Sequence, residues 1–312
     1  MIHPSETKQQ IKDFALAHAK IDKIGVAGIE RFNGAPEGYH PTDFLPGCKS
    51  AIVCAIRLPD GAVQAVYRML EDRRLHLHGI YPAYGYTGAA NYTLLFAAMR
   101  IARFVERLTG EACAPIPAGP THGAKTMSLR HSAVAAGIAE FGWHGLAMTP
   151  EFGTRNRFCV ILTTAELESD PLYDGPPLCD PVKCGVCAAM CPTNAIGKYD
   201  PKRARSFDVG GKPCEYSMFD GNRCKMATSG MFAEFNDSGR DLYDVFANPH
   251  PIHTEADGLQ AFYYTHMNNN FFMHATSWKC GYCMMYCPAG NWKERFFDTG
   301  LSKIDTRKYI KD

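Results

Sequence analysis

Two groups of cysteines stand out in the sequence, and each of them ends in a cysteine–proline pair. The first group lies between Cys179 and Pro192, and the second lies between Cys280 and Pro288. Both contain the pattern Cys-x2-Cys-x3-Cys-Pro, whose short spacings bring several thiolates to one side of an iron–sulfur cluster. The proline ends the loop and directs the last cysteine away from its neighbours. The sequence therefore predicts two 4Fe–4S clusters.

The ligands of the two predicted clusters follow from a rule of two-cluster ferredoxins, in which the cysteine before proline ligates the opposite cluster. One cluster then takes Cys179, Cys184, Cys187 and Cys287. The other takes a further thiol together with Cys191, Cys280 and Cys283. The nearest candidates for that thiol are Cys214 and Cys224. The alternatives are a structural zinc site, against which the doubled motif argues, and disulfides, which we do not expect without a secretory segment.

Composition limits the class of protein. The chain has 312 residues, 46% hydrophobic and 21% charged, which suffices for an ordinary globular core in one large or two modest domains. A net charge of +1 gives no sign of a nucleic-acid partner. The first 23 residues are polar, and no apolar run reaches transmembrane length. We therefore expect a cytoplasmic protein that binds neither nucleic acid nor membrane.

Helices and strands are interleaved in the first half of the sequence, which predicts an α+β fold. The predicted helices are a stretch capped by Ser5, residues 62–78, a stretch from Thr87 or Asn91 to Gly110, and residues 128–141, capped by Ser128. The predicted strands are residues 23–29, 51–56, 145–149 and 157–163, the last two joined by a turn at 151–155. Residues 81–88 and 113–127 are predicted to be loops.

One longer stretch has a recognisable pattern. From Arg130 to Phe158 the sequence reads RHSAVAAGIAEFGWHGLAMTPEFGTRNRF, and it resembles the segment before the ferredoxin module in the reductive dehalogenase and epoxyqueuosine reductase superfamily. Asp170-Pro-Leu and the stretch from Glu215 to Cys224 resemble the dehalogenase-like branch. This second likeness favours Cys224 over Cys214 as the last cluster ligand.

The resemblance implies a nitroreductase-like, cobalamin-binding domain at residues 1–170, followed at 171–312 by a ferredoxin-like domain with two 4Fe–4S clusters. A long insert, about 200–275, would separate the two cysteine motifs. Electrons from reduced ferredoxin or flavodoxin would pass through the clusters to a base-off cobalamin, which would reduce a small organic substrate. Epoxyqueuosine reductases have an acidic proton donor near the position of Lys125 to Ser128, where this sequence has no Asp or Glu.

Candidate site residues follow from the same resemblance. Those expected to hold cobalamin are Gly137, Gly142, Gly145, Thr149, Phe152, Gly153, Arg155 and Arg157. The candidate proton donors for a reductive step are Tyr84, Tyr86 and His131 and, in the insert, Tyr263, Tyr264 and His266. A basic run that could dock the electron donor contains Lys202, Arg203 and Arg205. Taken singly, the glycines suit ordinary turns, the aromatic residues suit core packing, and the basic run suits a solvated loop.

Three functions remain open on these residues. The first is a cobalamin-dependent reductase of a small organic molecule. The second is an electron-transfer or corrinoid-reducing accessory protein without a substrate of its own. The third is a cobalamin-free reductase that uses a flavin or its clusters alone.

Overall fold

The structure, a computed structural model, describes residues 4–71, 80–86, 88–118, 126–228 and 280–290. Its strands are β1 (Lys23–Gly28), β2 (Ser50–Arg57), β3 (Cys113–Ile116), β4 (Glu140–Phe141), β5 (Ala147–Met148), β6 (Asn156–Thr163), β7 (Ala204–Val209) and β8 (Lys212–Ser217). Its α-helices are α1 (Pro4–Ala17), α2 (Pro41–Phe44), α3 (Asp60–Glu71), α4 (Gly88–Thr109), α5 (Leu129–Ala135), α6 (Val186–Ala189), α7 (Gly221–Thr228) and α8 (Tyr282–Tyr286). The predicted mixture of helix and strand is confirmed.

A four-stranded antiparallel sheet in the order β1-β2-β6-β3 forms the centre of the fold. Strand β2 is almost wholly buried, because side chains from both of its faces meet helices. Ile52 and Cys54 belong to a core that also contains residues of α1 and α4, where Phe14 and Phe104 stack at 4.1 Å. Val53 faces the opposite side and packs in a second core that contains α5. The sheet therefore separates two apolar cores.

The cysteine-containing segments pack onto the first of these cores. Val186 of α6 and Met284, Met285 and Tyr286 of α8 are buried in it beside residues of the sheet. The hairpin of β7 and β8 packs on the other core through Val209 and Tyr216. Both faces of the sheet thus support elements from the second half of the chain. The predicted division near residue 170 stays a prediction.

Several predicted boundaries are confirmed. Strands at 23–29 and 51–56 match β1 and β2, and Ser128 caps α5 by accepting a hydrogen bond from the backbone N–H of His131 at 3.4 Å. The helix predicted for 128–141 is too long, because Gly137 adopts φ +72° and turns the chain toward β4. Ser5 is not a cap, since α1 already contains it.

Two further predictions about local structure are wrong. Residues 81–86 form a π-helix instead of a loop, and Tyr81 within it is fully buried. Residues 113–116 form the edge strand β3 instead of a loop, and an edge strand tolerates Pro115. The strands predicted at 145–149 and 157–163 are present as β5 and β6 and are joined by a turn, but β5 pairs with β4 while β6 pairs with β2 and β3.

The predicted insert at about 200–275 contains β7, β8 and α7 as far as it is described, and its residues 229–275 lie outside the described part of the chain. Residues 72–78 of the predicted helix and the proposed cap Thr87 also lie outside it. Within the described ranges, no helix has both the length and the apolar character that crossing a bilayer requires.

Candidate functional site

The first cysteine motif is shaped by a turn that its own sequence supplies. The Asp180 carboxylate accepts hydrogen bonds from the backbone N–H groups of Val182 and Lys183 at 3.1 and 3.2 Å. The backbone N–H of Cys184 donates to the Asp180 carbonyl at 2.8 Å. The four residues between Cys179 and Cys184 therefore form a compact turn, and both thiols can face the same side.

The second cysteine motif depends on contacts with the sheet. Thr154 Oγ1 donates to the Met284 carbonyl at 2.8 Å, and Arg155 donates to the Met285 carbonyl at 3.2 Å. A side chain on Gly281 would overlap the Tyr81 hydroxyl group, so only glycine fits between Cys280 and Tyr282. The two residues just before β6 thus hold α8, which carries Cys283.

Four of the eight predicted ligands form a first thiol set, namely Cys179, Cys184, Cys187 and Cys287. Burial raises the pKa of Cys187, and neighbouring thiols raise it further, among them Cys287, Cys179 and Cys184. Burial likewise raises the pKa of Cys287 to about 12, with contributions from Cys179 and Cys184. Cys187 and Cys287 are therefore buried thiols that lie near the two half-buried ones, and these neighbours make them harder to ionise.

The other four form a second thiol set, namely Cys191, Cys224, Cys280 and Cys283. Burial raises the pKa of Cys283 to about 12, and Cys224 and Cys191 add to the increase. The pKa of Cys280 is raised by burial and then by Cys283, Cys224 and Cys191. Cys283 also acts on Cys187 and Cys287, so the two sets meet at this residue. The two sets have the same members as the predicted ligand sets, while ligation itself stays a prediction.

Cys224 and Cys214 occupy different surroundings. Cys224 lies on α7, which is attached near Cys191 because the Asp220 N–H donates to the Ala195 carbonyl at 2.9 Å. Burial raises the pKa of Cys214 to about 11, and its charged neighbours are Lys212, Glu140 and Asp208. This placement favours Cys224 as the eighth thiol.

The described side chains are not arranged around one small ion. No group of three or more Cys, His, Asp or Glu residues within the described ranges lies close enough to hold a single metal ion. A tetrahedral zinc site would need sulfur atoms about 4 Å apart, given a Zn–S distance of about 2.3 Å. The zinc alternative therefore gains no support from these residues.

The glycines predicted to approach cobalamin approach protein instead. A side chain on Gly137 would overlap the Pro171 carbonyl oxygen, and one on Gly153 would overlap the Ala289 carbonyl oxygen. Gly142 faces the His144 ring at 2.6 Å from an added Cβ, and Gly145 has φ +76° in the turn between β4 and β5. The absence of a side chain at these positions therefore allows the chain to pack closely against itself.

The remaining predicted cofactor residues also have protein partners. Arg155 is fully buried and pairs with the Asp60 carboxylate at 3.0 Å. Arg157 lies over the Tyr86 ring at 4.9 Å, and Thr149 Oγ1 accepts a hydrogen bond from the Phe152 N–H at 3.1 Å. None of the eight predicted cobalamin residues, all within the described ranges, lines the cavity beside His131.

That cavity has a volume of about 340 Å³ and lies on the α5 side of the sheet. Its walls come from the segment after β1, the start of α5 and the β7–β8 hairpin, and they include Arg31, Tyr39, Ser128, His131, Arg205, Phe207, Asp208 and Tyr216. Most of the wall is apolar, with two guanidinium groups and one carboxylate among the polar residues. Its size and lining are typical of a site for one small organic molecule.

His131 is held firmly in the cavity wall. Its Nδ1 lies 2.6 Å from Ser128 Oγ, and its ring is 4.9 Å from the rings of both Phe141 and Phe207. Burial, together with the positive charges of Arg130 and Arg205, lowers the pKa of His131 to about 4. The imidazole is therefore neutral at pH 7 and has no additional proton to donate.

Tyr84 and Tyr86, two other candidate proton donors, lie elsewhere, and the candidates in the insert, Tyr263, Tyr264 and His266, fall outside the described residues. Tyr84 is 55% exposed on the π-helix, and Tyr86 packs with the core that contains Cys280. Burial raises the pKa of Tyr86 to about 12, an effect that the nearby cation of Arg157 opposes. The structure thus places Tyr86 beside the second thiol set and His131 across the sheet, so the three described candidates do not share one site.

Arg130 is a functional candidate that the sequence did not single out. It donates to the Gly145 carbonyl, and burial lowers its pKa, while Tyr216 and Cys224 oppose the decrease. Its charge thus lies between the cavity, through Tyr216, and the second thiol set, through Cys224. The available signal was its position at the start of a capped helix, next to His131.

Similarity in sequence is confined to part of the chain. The tetrachloroethene reductive dehalogenase of Dehalobacter restrictus is 34% identical over 119 residues, which is 34% of this chain and 19% of that protein. The enzyme of the same name from Desulfitobacterium hafniense gives the same values. The chain therefore spans about a fifth of the length of the curated relatives it matches. No family model matches the chain.

Similarity in fold covers nearly all of it. The catabolic reductive dehalogenase NpRdhA superposes with a TM-score of 0.54 at 15% identity, covering 99% of this chain and 38% of that one. A reductive dehalogenase whose structure suggests a mechanism for B12-dependent dehalogenation gives 0.53 at 17% identity, covering 86% and 37%. An epoxyqueuosine reductase bound to a modified tRNA stem loop gives 0.50 at 14% identity, covering 97% and 71%.

At such identities the superpositions show a shared fold, and the 119-residue match adds relatedness in sequence. Both kinds of similarity lead to the same group of proteins that the stretch from Arg130 to Phe158 resembles. The chain therefore shares the fold of reductive dehalogenases and epoxyqueuosine reductases, and part of it is similar in sequence to the tetrachloroethene reductive dehalogenases.

Proposed function

We propose that the chain is a reductase in which two 4Fe–4S clusters deliver electrons to the reduction of a small organic substrate. The observation that carries this proposal is the grouping of eight thiols into two sets of four that meet at Cys283. In this proposal residues 1–170 are the nitroreductase-like domain and residues 171–312 are the ferredoxin-like domain. Proteins that are similar to the chain in sequence and in fold carry the names of reductases.

The thiol chemistry fits iron–sulfur clusters. Buried thiols with raised pKa values stay protonated unless positive charge is brought close to them. Iron supplies that charge, and cluster assembly would release the thiol protons. When bound, the clusters would supply one-electron transfer. The residues of the chain hold the sulfur atoms, exclude water through the buried residues of α6 and α8, and bring the two sets together at Cys283.

The cavity beside His131 is the proposed substrate site. Its apolar wall would exclude water from a small organic molecule, and Arg31 and Arg205 would attract a negatively charged group on it. His131 and Ser128 share a short hydrogen bond and would orient the substrate instead of protonating it, because the imidazole is neutral. The charge of Arg130 would oppose protonation of His131 during the reaction.

Cobalamin enters the proposal through similarity alone. One structural neighbour is described as suggesting a mechanism for B12-dependent dehalogenation. Three of the eight residues predicted to hold this cofactor have other roles, because Gly137 and Gly153 pack on backbone and Arg155 is paired with Asp60. No step is therefore assigned to cobalamin, and we propose its base-off binding as a separate, testable feature.

The electron donor is proposed to be reduced ferredoxin or flavodoxin. Lys202 and Arg203 are exposed beside the first motif, and they would attract the acidic surface of such a donor. Arg205 lines the cavity and would take part less directly. We also propose that the protein is cytoplasmic and binds neither nucleic acid nor membrane, as expected from its composition.

The test is anaerobic reconstitution followed by measurement of iron and of the electron paramagnetic resonance spectrum. We expect about eight iron atoms per chain and two reduced clusters. Cys224→Ala should lose part of the iron and the signal of one cluster, whereas Cys214→Ala, its matched control, should keep both. A wild-type chain with a single cluster, or with zinc alone, would refute the proposed transfer of electrons through two clusters.

A second candidate function is a cobalamin-free reductase that uses a flavin or its clusters alone. It is favoured by the glycines that pack on backbone, Gly137 and Gly153. Titration of the reconstituted chain with cobalamin and with flavin separates the two functions. Binding of about one cobalamin per chain supports the first function. Binding of flavin alone, or substrate turnover without either cofactor, supports the second. Clusters without turnover of any candidate substrate would instead indicate an electron-transfer accessory protein.

A further inference from the structure

The turn between β4 and β5 lies against the first thiol set. The backbone N–H of Trp143 donates to Cys179 Sγ at 3.5 Å, and the Trp143 side chain shares a small apolar cluster with Cys187. At the other end of the segment, Met148 Sδ lies 3.9 Å from Cys287 Sγ. The segment from Trp143 to Met148 therefore touches three of the four thiols of this set.

His144 lies within the same turn and is 6% exposed. The backbone N–H of Leu146 donates to its Nδ1 at 3.1 Å, so that nitrogen carries no proton and the ring proton lies on Nε2. Within the described part of the chain, Nε2 has no hydrogen-bond partner. A buried N–H group without an acceptor is rare and costly, so an acceptor other than the described residues is expected at this position.

The neighbours of the ring connect it with the first thiol set. A Cβ placed on Gly142 would lie 3.0 Å from His144 Nε2 and 3.0 Å from the methyl carbon of Met148. The Nε2 edge of the ring and the Met148 methyl group thus border the same space beside Gly142, and the sulfur of Met148 contacts Cys287. The unpartnered donor therefore lies near a residue that touches the first thiol set.

We propose that His144 Nε2–H donates a hydrogen bond to a sulfur atom of the cluster held by the first thiol set and thereby raises its reduction potential. Reduction adds negative charge to the cluster sulfurs, and an N–H donor stabilises the reduced form more than the oxidised form. This inference rests on the proposed function, because it requires that the first thiol set hold a cluster. His144 is a positioning residue in this role, acting on the cluster and not on the substrate.

Two substitutions test the roles of the two ring nitrogen atoms separately. His144→Asn keeps a short acceptor for the Leu146 N–H and removes the donor at the Nε2 position. His144→Gln carries an amide N–H to that position. His40→Asn is the matched control, since His40 Nδ1 also accepts a backbone N–H, from Thr42 at 3.4 Å, in a loop that caps α2.

The measurement is a redox titration of the reconstituted full-length chain, followed by electron paramagnetic resonance. We expect His144→Asn to shift the midpoint potential of one cluster downward and to leave the other unchanged, while His144→Gln recovers part of the shift. His40→Asn should leave both potentials unchanged. Unchanged potentials in His144→Asn, or equal shifts of both clusters, would overturn the proposal and indicate a buried water or another acceptor.

A second readout is independent of potential. With ¹⁵N-labelled histidine, pulsed resonance of the reduced protein should detect a histidine nitrogen coupled to one cluster, and His144→Asn should abolish that coupling. Its absence from the wild-type protein would overturn the proposal. The iron content shows whether the role of His144 or the proposed function has failed. A variant with its full complement of iron and unchanged midpoint potentials refutes only the role of His144. A wild-type chain without clusters refutes the proposed function as well.

Discussion

The two thiol sets differ in how the chain brings them together. Most of the first set comes from the stretch Cys179 to Cys187, whose turn is stabilised by the Asp180 carboxylate. The second set is drawn from three separate segments, around Cys191, on α7 and on α8. The first set is therefore specified largely by local sequence, whereas the second depends on tertiary contacts with the sheet and the π-helix.

Their surroundings differ as well. The first set is approached by the Trp143 N–H and by Met148. The second is bordered by buried tyrosines and by Arg157, which donates to Met284 Sδ at 3.6 Å. Backbone and imidazole donors would therefore adjust the reduction potential of one proposed cluster, while a cation and phenol groups would adjust that of the other. Damage to the scaffold should accordingly affect the second cluster more than the first.

The largest effect is expected from Asp60→Ala. It removes the carboxylate that neutralises Arg155, whose side chain is 1% exposed and holds the Met285 carbonyl. Removing this buried counter-charge should cost about 3–5 kcal/mol of unfolding free energy, and the signal of the second cluster should weaken first. Thermal unfolding and resonance spectra of the reconstituted variant measure both.

The exposed pair of Lys23 and Glu151 provides the control for that substitution. Glu151 has 51% of its side chain exposed, so Glu151→Ala should cost at most about 1 kcal/mol. Equal losses in the two variants, or a first cluster that fails before the second in Asp60→Ala, would contradict the dependence of the second set on the sheet.

An intermediate effect is expected from Gly153→Ala, which acts on the first set. Gly153 has φ +56°, and an added Cβ would overlap the carbonyl oxygen of Ala289, two residues after Cys287. The strain and the overlap together should cost about 2–4 kcal/mol and should disturb the first cluster through Cys287.

Gly110→Ala is the matched control, because Gly110 has φ +75° with no atom within 4 Å of an added Cβ. It should cost only the conformational strain, about 1–2 kcal/mol. If both alanine variants unfold at the same temperature, the contact between Gly153 and Ala289 has no energetic importance.

The smallest effect is expected from Arg157→Gln. Removing the cation beside Tyr86 and Met284 should lower the midpoint potential of the second cluster alone, because a nearby positive charge favours the reduced form. Arg107→Gln, at the exposed end of α4, is the control and should move neither potential. A shift in the first cluster would show that the two environments are not separate.

The sequence predicted what depends on short-range spacing. The cysteine motifs, the buried strand β2 and the Ser128 cap each follow from residues close together in the chain. It missed elements whose stability comes from distant partners. Residues 81–86 were read as a loop because aromatic residues and glycine are dense there, yet Tyr81 is buried against Gly281.

The same reason explains the other discrepancies. β3 contains Pro115 and forms only because β6 offers its edge. The glycines from 137 to 153 were assigned to a cofactor because no local signal distinguishes space for a cofactor from space for backbone. The unpartnered donor of His144 could not be anticipated, since it depends on the Leu146 N–H and on burial.

The contact between Tyr81 and Gly281 has a consequence for the biogenesis of the protein. A newly synthesised chain can gather three sulfurs of the first set as soon as residues 179–187 emerge, but α8 can dock only where the π-helix is already in place. We expect maturation to be stepwise, with one cofactor inserted early and the other late. Cells starved of iron should then accumulate a half-loaded form.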